Sequence, residues 1–416
     1  MGVNLSWHDA MAVAGRAFRS EEHGAGWPPA LQPKRATIIP DPTRRRLLQH
    51  TAAWPLGGAL AAVGLSACAP QQPVRLAFLA GLTGATTHAL AVSARDGALL
   101  AVEDARAAGR LVELLEFDHA NRPESLPEMA LRIASAQAAA VIGPLYSSIA
   151  QVWLPLAQEH GLFSISPTVT SHLFSGLDDL FFRVCGSTRE YAHTAAEFAV
   201  QRRGWRRLAL ICDDSNAAYT RSWADFFVPH AQSLGATVAT PVLFTGPIAA
   251  QQMQTVLQQA LKQQPEALVL VANASDTAML AQLARESPQA PALQAAEWAS
   301  TDQLIVRGGR AVEGMVVSQF FDRESRAPAY LEFLQRFVQR YRRQPGFAEV
   351  AAYDAAQVLL QALPQRTPGE ALKATLLRLR SFSGLQDTIT FDDYGDSQRH
   401  MVMTEIRNGR FITLDA

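Results

Sequence analysis

The chain has 416 residues, enough for two ordinary domains, and 48% of them are hydrophobic. Its 37 basic and 38 acidic side chains are interleaved and leave a net charge of −1, which excludes the concentrated basic face that nucleic-acid binding needs. Three cysteines without a Cys-x-x-Cys pair exclude a disulfide framework.

The N-terminal part has the character of an export signal. Residues 1–43 show no sustained periodicity, so we interpret them as an unstructured leader, or as the result of a start codon placed too far upstream. Arg44-Arg45-Arg46, followed by Leu47-Leu48, resembles a twin-arginine signal. The apolar stretch Ala52–Ala67 is about 16 residues long, short of the ~20 that span a bilayer but suited to a signal peptide. Residues 44–67 are therefore predicted to be a signal peptide.

This apolar stretch ends in Leu65-Ser66-Ala67-Cys68, which resembles a bacterial lipobox. Small residues give a peptidase access to the backbone, and the cysteine thiol accepts the lipid. The alternative is a signal peptide with an incidental cysteine. Because the charges, the apolar stretch and the lipobox follow in the correct order, we predict that Cys68 is lipidated. The exported protein would then lie in the periplasm, attached to the membrane only by this lipid.

From Val74 onward, short apolar runs alternate with amphipathic stretches. The predicted strands are Val74–Leu79, Leu111–Phe117, Ala139–Ile142, Leu162–Ile165, Leu208–Ile211 and Leu268–Val271. The predicted helices are Ala94–Ala107, Glu190–Arg202, Ala249–Gln264 and Thr277–Glu286. This alternation predicts parallel sheets covered by helices on both faces. The last part of the chain lacks it, and Asn408-Gly409 between two strand-like runs predicts an antiparallel hairpin.

Several short motifs follow one another along the chain. They are Val74–Leu79 with Leu82-Thr83-Gly84, Val141–Pro144 before Ser147-Ser148, Ile165–Thr170, Phe182-Arg183-Val184, Ala311–Gly314, Tyr353-Asp354-Ala355, and Phe391 with Gly395-Asp396. In this order they resemble the type I periplasmic binding proteins of the leucine/isoleucine/valine-binding class. The resemblance implies an α/β fold of two doubly wound parallel-sheet lobes joined by a three-strand hinge.

The resemblance also implies that each lobe is discontinuous in sequence. The first lobe would comprise residues 74–185 plus 319–392, and the second lobe residues 186–318 plus 393–416. The chain would cross between them near Val184, Ser318 and Phe391. Several crossings restrict motion to a hinge, so we expect the lobes to open and close as rigid bodies.

Polar residues follow two predicted strands of the first lobe. Tyr146 and Ser147 lie where a helix begins, and unpaired amides there suit a carboxylate, although Ser147 alone is equally typical of a helix cap. Thr168 and Thr170 follow another strand end, where open α/β sheets bind ligands, although such residues also favour turns. The resemblance implies that Ser147 binds a carboxylate and that Thr168 and Thr170 hold the groups on the α-carbon of an amino acid.

Four residues of the second lobe are further candidates. Tyr219 follows a strand end and either packs on a ligand, as the resemblance implies, or packs in the hinge. Asn273 stands where the family often has tyrosine, which predicts a more polar wall. The resemblance implies that Glu297 binds an ammonium group; otherwise it is an exposed loop residue. Trp298 beside it would form an apolar or cation–π wall.

Enzyme motifs for phosphate binding, nucleophilic catalysis, zinc or dinucleotides are absent from the sequence, and its ten histidines lack metal-ligand spacing. We therefore expect neither an enzyme nor a cofactor or metal. The resemblance implies a substrate-binding lipoprotein of an ABC importer, with permease subunits as partners and a small polar ligand such as an amino acid or related amino-carboxylate. The alternative is a lipoprotein of the same fold that regulates a cell-wall synthase or acts as a sensor module.

Cys185 and Cys212 are predicted to be buried free thiols, although export permits a disulfide.

Overall fold

A computed structural model of the protein describes residues 72–84, 88–399 and 401–414. The predicted leader, signal peptide and Cys68 lie outside these residues. The strands are β1 Val74–Ala80, β2 Val112–Asp118, β3 Ala140–Ile142, β4 Ser164–Ser166, β5 Phe181–Arg183, β6 Arg207–Asp213, β7 Thr237–Val238, β8 Val242–Phe244, β9 Ala267–Val271, β10 Ala292–Ala295, β11 Val316–Gln319, β12 Ser381–Ser383, β13 Thr388–Thr390, β14 Val402–Arg407 and β15 Arg410–Thr413. The helices are α1 His88–Ala107, α2 Leu126–Ser135, α3 Ser147–Glu159, α4 Thr188–Glu197, α5 Ala217–Ser233, α6 Ala250–Leu261, α7 Ala274–Glu286, α8 Asp302–Gly308, α9 Pro328–Tyr341, α10 Phe347–Ala362 and α11 Leu372–Leu379.

The first sheet has the order β2-β1-β3-β4-β5, and all its strands are parallel. The last five residues of β1 are buried, because helices cover both faces of the sheet. Helices α1 and α10 pack closely together on this sheet. Gly97 allows their approach, since a Cβ atom there would lie 2.1 Å from the backbone oxygen of Glu349. The first sheet and the helices packed on it form the first lobe.

The second sheet has the order β15-β14-β11-β10-β9-β6-β7, and β8 also pairs with β6. Its strands from β6 to β11 are parallel, whereas β14 and β15 are antiparallel to their neighbours. The turn between β14 and β15 is Asn408-Gly409, with positive φ angles of 51° and 66°. Such a turn matches the twist of a hairpin, so the hairpin predicted from the sequence is confirmed. This sheet and its helices form the second lobe, and the predicted α/β fold with parallel sheets is confirmed.

The chain leaves the first sheet after Arg183 and leaves the second sheet after Gln319. It returns to the second sheet between Thr390, which ends the separate two-stranded sheet β12-β13, and Val402. The buried side chain of Arg183 ties the first of these connections to the third, because its Nε donates to Asp396 Oδ1 at 2.9 Å. The backbone N–H of Arg183 donates to Gly395 O at 3.0 Å. These contacts hold two connecting segments side by side at the hinge.

Two further expectations concern thiols and membranes. Cys185 and Cys212 are buried and free, which agrees with the interpretation as free thiols. In the part of the chain that the structure describes, no helix has both the length and the apolar composition of a membrane span.

Candidate functional site

A cavity lies between the two lobes, beyond the carboxyl ends of strands from both sheets. Its lining consists of Leu90, Leu145, Tyr146, Ser147, Thr168, Thr170, Asn216, Tyr219, Glu297, Trp298, Phe320 and Phe347. The space that the centre of a water-sized sphere can occupy among these side chains is about 20 Å³, which is little more than a water molecule needs. In this arrangement the cavity is nearly closed, so the lobes must part to admit a ligand.

Ser147 reaches the cavity because the chain turns sharply between β3 and α3. At Gly143, φ is +125° and a Cβ atom would lie 2.3 Å from Leu79 O, so only glycine fits this turn. Helix α3 then begins at Ser147, which is buried. The Ser147 hydroxyl oxygen accepts a long hydrogen bond of 3.4 Å from the backbone N–H of Ser171. The hydroxyl hydrogen therefore remains able to donate to a ligand.

Thr168 and Thr170 follow β4, beside this turn. The hydroxyl of Thr168 donates to Leu145 O at 2.7 Å, so it fixes the loop before α3. The hydroxyl of Ser166 adds to this support by donating to Pro144 O at 2.6 Å. Thr170 is buried, and its hydroxyl makes no hydrogen bond to another described residue. Of the two threonines, Thr170 offers the cavity a free polar group, whereas Thr168 has a structural partner.

Glu297 supplies a carboxyl group on the second lobe. It opens a 3-10 turn after β10 and is 0% exposed. The Tyr219 hydroxyl donates to its Oε1 at 2.8 Å. Its Oε2 is buried and has no hydrogen-bond partner among the described residues. Burial raises the pKa of Glu297 to about 7, although hydrogen bonds from its own backbone N–H and from Tyr219 lower it.

The pKa of the Tyr219 hydroxyl lies well above its ordinary value of 10, because burial and the nearby Glu297 disfavour a second negative charge. Tyr219 therefore stays a neutral donor. A carboxyl group that is oriented through one oxygen and open at the other suits a cationic hydrogen-bond donor.

Three aromatic rings form one wall of the cavity and bridge the lobes. Trp298 makes edge contacts with Tyr146 of the first lobe and Tyr219 of the second, with ring centroids 6.1 Å and 5.7 Å apart. Phe320, which directly follows β11, packs edge-on against Phe347 at 5.1 Å. The cavity therefore combines apolar walls with a few polar groups, as small-molecule sites do.

Seven of the eight candidate residues predicted from the sequence line this cavity, and Asn273 does not. Asn273 caps helix α7 instead, since its Oδ1 accepts from the backbone N–H groups of Ser275 and Asp276 at 2.9 and 3.1 Å. Its Nδ2 donates to Asp276 Oδ2 at 2.6 Å. The expectation of a more polar wall, which rested on Asn273, is therefore corrected by its role as a helix cap.

Sequence reasoning missed five lining residues: Leu90, Leu145, Asn216, Phe320 and Phe347. Asn216 is the most informative, because its Oδ1 accepts from the backbone N–H of Ser148 in the other lobe at 3.0 Å. A signal was available for Asn216 and Phe320, which follow strands of the second sheet at their carboxyl ends. Leu90 and Phe347 lie in helices, where an apolar residue gives no sign of facing a cavity.

The described residues contain no cluster of three or more His, Cys, Asp or Glu side chains that could hold a metal ion. The lining offers one carboxyl group, three hydroxyl-bearing side chains of Ser and Thr, two tyrosines and an amide. This set can bind and orient a small molecule that carries opposite charges.

Comparisons with known proteins agree with this architecture. The model of the periplasmic binding protein family matches residues 73–410. A leucine-binding protein from Thermotoga maritima is 24% identical, with a TM-score of 0.76, over 82% of this chain and 98% of that chain. The substrate-binding protein of a branched-chain amino acid transporter from Streptococcus pneumoniae, solved with isoleucine, is 16% identical with a TM-score of 0.74, over 82% and 100% of the two chains.

A solute-binding protein of an ABC transporter from R. palustris, solved with benzoate, is 17% identical with a TM-score of 0.73, over 82% of this chain and 95% of that chain. At these identities the likeness to solved structures shows the fold. A search of curated protein sequences finds no match.

Proposed function

This chain belongs to the periplasmic binding protein family, and from that premise we propose that it is the extracytoplasmic substrate-binding component of an ABC importer. It binds a small amino acid or a related amino-carboxylate between its lobes and presents it to the permease subunits. It acts by binding alone and is not an enzyme. We propose residues 74–185 plus 319–392 and residues 186–318 plus 393–416 as the two bodies that move.

The observation that carries this proposal is the buried, half-satisfied carboxyl group of Glu297. An isolated ionised carboxylate is costly to bury, so the site gains most from a ligand that brings a positive charge. On the opposite wall, Ser147 and the first amides of α3 suit a negative charge. Opposite charges on the two walls fit a zwitterion, with its ammonium group between Glu297 and Thr170 and its carboxylate toward Ser147.

The remaining lining residues indicate the size and polarity of the ligand's side chain. Leu90, Leu145, Phe320 and Phe347 are apolar, and the cavity is small. Both features favour a compact apolar side chain. The similar structures include a leucine-binding protein and two proteins solved with isoleucine and with benzoate. The benzoate complex supports a second candidate, an aromatic carboxylate bound by Ser147 and the first amides of α3. Such a ligand has no cationic group to pair with Glu297.

Isothermal titration calorimetry separates the two candidates. We expect alanine, valine, leucine or isoleucine to bind, and the matching deaminated carboxylates and benzoate to bind far more weakly. Glu297→Gln should weaken amino-acid binding by about 2–5 kcal/mol, or roughly 30- to 5000-fold, because it leaves the ligand's ammonium without its counter-charge. Glu286→Gln, an exposed substitution on the same lobe, is the matched control. Equal binding of an amino acid and its deaminated analogue would show that the zwitterion assignment is wrong.

We also propose that Cys68 carries the lipid anchor, on the basis of the lipobox and the signal that precedes it. Cys68→Ser should move the protein from the membrane fraction to the soluble fraction or block its processing. Ser66→Ala, which keeps a small residue in the lipobox, should leave fractionation unchanged. Membrane fractionation of the Cys68→Ser protein like that of the wild type would contradict the anchor.

A further inference from the structure

Two helices, one from each lobe, begin at the cavity and face each other. Helix α3 of the first lobe starts at Ser147, and helix α5 of the second lobe starts at Ala217. The first N–H groups of a helix have no acceptor within the helix and need one from elsewhere. In the first turn of each helix, one backbone N–H group donates to a side-chain oxygen of the other lobe.

The contacts are reciprocal. The backbone N–H of Ser148, in the first turn of α3, donates to Asn216 Oδ1 at 3.0 Å. The backbone N–H of Ala218, in the first turn of α5, donates to Ser148 Oγ at 3.2 Å. Asn216 stands at the N-cap position of α5, yet its side chain makes no capping hydrogen bond to that helix. It caps the helix of the opposite lobe instead.

Burial strengthens this arrangement. Asn216 is only 6% exposed, and a polar group that loses its partner away from water carries a desolvation penalty. The positive ends of the two helix dipoles also approach each other here, which opposes closure unless acceptors lie between them. Asn216 Oδ1 and Ser148 Oγ are those acceptors.

We propose that Asn216 and Ser148 form an interlobe latch, a pair of reciprocal helix caps that stabilises the closed arrangement through protein contacts alone. A ligand is then not the sole source of closure energy, and the latch shifts the equilibrium between open and closed forms before a ligand arrives. Asn216 acts as a positioning residue, because its side chain holds the start of α3, where Ser147 lines the cavity together with Glu297 of the other lobe. This inference goes beyond the proposed function, and its structural part is independent of the ligand.

Hydrogen–deuterium exchange of the full-length protein without added ligand tests the latch. Asn216→Ala, in the second lobe, should speed exchange of the first-turn amides of α3 in the first lobe by roughly 3- to 10-fold, as expected for one lost hydrogen bond. Ser148→Ala should have the reciprocal effect on the first turn of α5. Ser215→Ala, at the exposed neighbour of Asn216, is the matched control and should change neither. A purely local role of Asn216 would alter exchange in α5 only.

The Asn216→Ala Ser148→Ala double variant completes the test. If both caps depend on the same closing motion of the lobes, the two substitutions should not act independently. The exchange rates of the double variant should then rise by less than the product of the two single-variant increases. Exchange of the α3 amides in Asn216→Ala that equals the Ser215→Ala control overturns the latch.

A kinetic measurement extends the test to the ligand and rests on the proposed function. With leucine as the probe, stopped-flow tryptophan fluorescence should show dissociation from Asn216→Ala that is roughly 3- to 10-fold faster than from the wild type. Unchanged dissociation together with faster exchange would overturn the coupling of the latch to affinity. If no amino acid binds at all, the proposed function fails while the exchange experiment still decides whether the latch exists.

Discussion

A carboxyl group held away from water, as that of Glu297 is, keeps its proton to a higher pH than an exposed one. Its pKa of about 7 means that it changes charge near neutral pH. The hydroxyl of Tyr219 donates to it, and the indole N–H of Trp223 nearby makes no hydrogen bond to a described residue. Both groups are neutral, so the structure gives Glu297 no compensating charge, and this has consequences for both affinity and stability.

The first prediction is that amino-acid affinity rises with pH. Below pH 7 the carboxyl group of Glu297 is protonated in the unliganded protein, and an incoming ammonium group must displace that proton. Between pH 6 and pH 8 the affinity should rise roughly tenfold, because the pKa of about 7 falls when the ammonium binds. Calorimetry at both pH values measures this. In Glu297→Gln the pH dependence should disappear, and a wild-type affinity that falls with rising pH would contradict the assignment of a cationic partner.

The second prediction is that Glu297→Gln stabilises the unliganded protein. Burial raises the pKa of Glu297 from 4.5 to about 7, so between these values the unfolded state binds fewer protons than the folded state. Stability from this group is fully present below pH 4.5 and is lost as the pH rises through 7. A rise of this size corresponds to about 3 kcal/mol at pH 8. Urea unfolding at pH 8 should show a higher free energy of unfolding for Glu297→Gln, with a smaller difference at pH 5.

The residue scale also shows which cavity-lining positions a pattern of strands can indicate. Ser147, Thr170 and Glu297 each follow a predicted strand, and parallel strands bring their carboxyl ends to one edge of a sheet, but the roles of Ser147 and Glu297 came from the family resemblance. Asn273 follows a strand in the same way, yet it turns to cap its own helix. The choice between cavity and cap depends on side-chain direction, which the pattern of strands does not contain. Asn216 was missed because its partner lies in the other lobe, 68 positions away in sequence.

At the scale of secondary-structure elements, the first lobe depends on the close crossing of α1 and α10. Helix α10 is almost entirely buried, and α1 is buried along one side, which includes Ala94, Ala98 and Ala101. Their approach brings the backbone of Glu349 against Gly97 without any intervening side chain. A glycine in the middle of a helix normally costs about 0.5–1 kcal/mol relative to alanine. Here the loss is offset by packing that no other residue allows.

The third prediction follows from this crossing. Gly97→Ala should lower the free energy of unfolding by about 1–3 kcal/mol, because a Cβ atom 2.1 Å from Glu349 O forces the helices apart. Helix propensity alone predicts the opposite sign. Ser93→Ala in the same helix is the control and should change stability by under about 0.5 kcal/mol. Thermal unfolding measured by circular dichroism tests both, and a stabilised Gly97→Ala protein would show that the helices can separate freely.

The sequence indicated which segments form strands and helices more reliably than it indicated how these elements pack together. The alternation of apolar runs and amphipathic stretches indicated the parallel strands, and Asn408-Gly409 indicated the hairpin, because both signals are local. Helix α10 is different: almost all its residues are buried, so its apolar residues do not repeat on one face. Its contact with α1 joins segments about 250 residues apart, and sequence periodicity carries no information on that distance.

At the scale of the whole molecule, the two lobes act together only if the hinge keeps its connections in register. Arg183 is fully surrounded by protein, and its guanidinium contacts Asp396 and the backbone oxygen of Ser171, the latter at 2.8 Å. Asp396 also accepts from the backbone N–H of Gly176 at 2.8 Å. One carboxylate therefore joins the third connection between the lobes to two segments of the first lobe.

The final prediction concerns this ion pair. Asp396→Asn leaves the buried guanidinium of Arg183 without a counter-charge, and loss of one partner from a buried pair typically costs about 3–5 kcal/mol. The neighbouring Asp393 pairs with Arg380 at the surface and has a side chain that is 82% exposed, so Asp393→Asn should cost less than about 1 kcal/mol. The two variants remove the same charge three positions apart, which makes the comparison specific for burial. Urea unfolding should therefore show a large loss in the free energy of unfolding for Asp396→Asn and a small loss for Asp393→Asn.

Equal losses for the two variants would mean that Arg183 finds other acceptors. The hinge would then be held by its backbone contacts, such as the hydrogen bond from Arg183 N to Gly395 O.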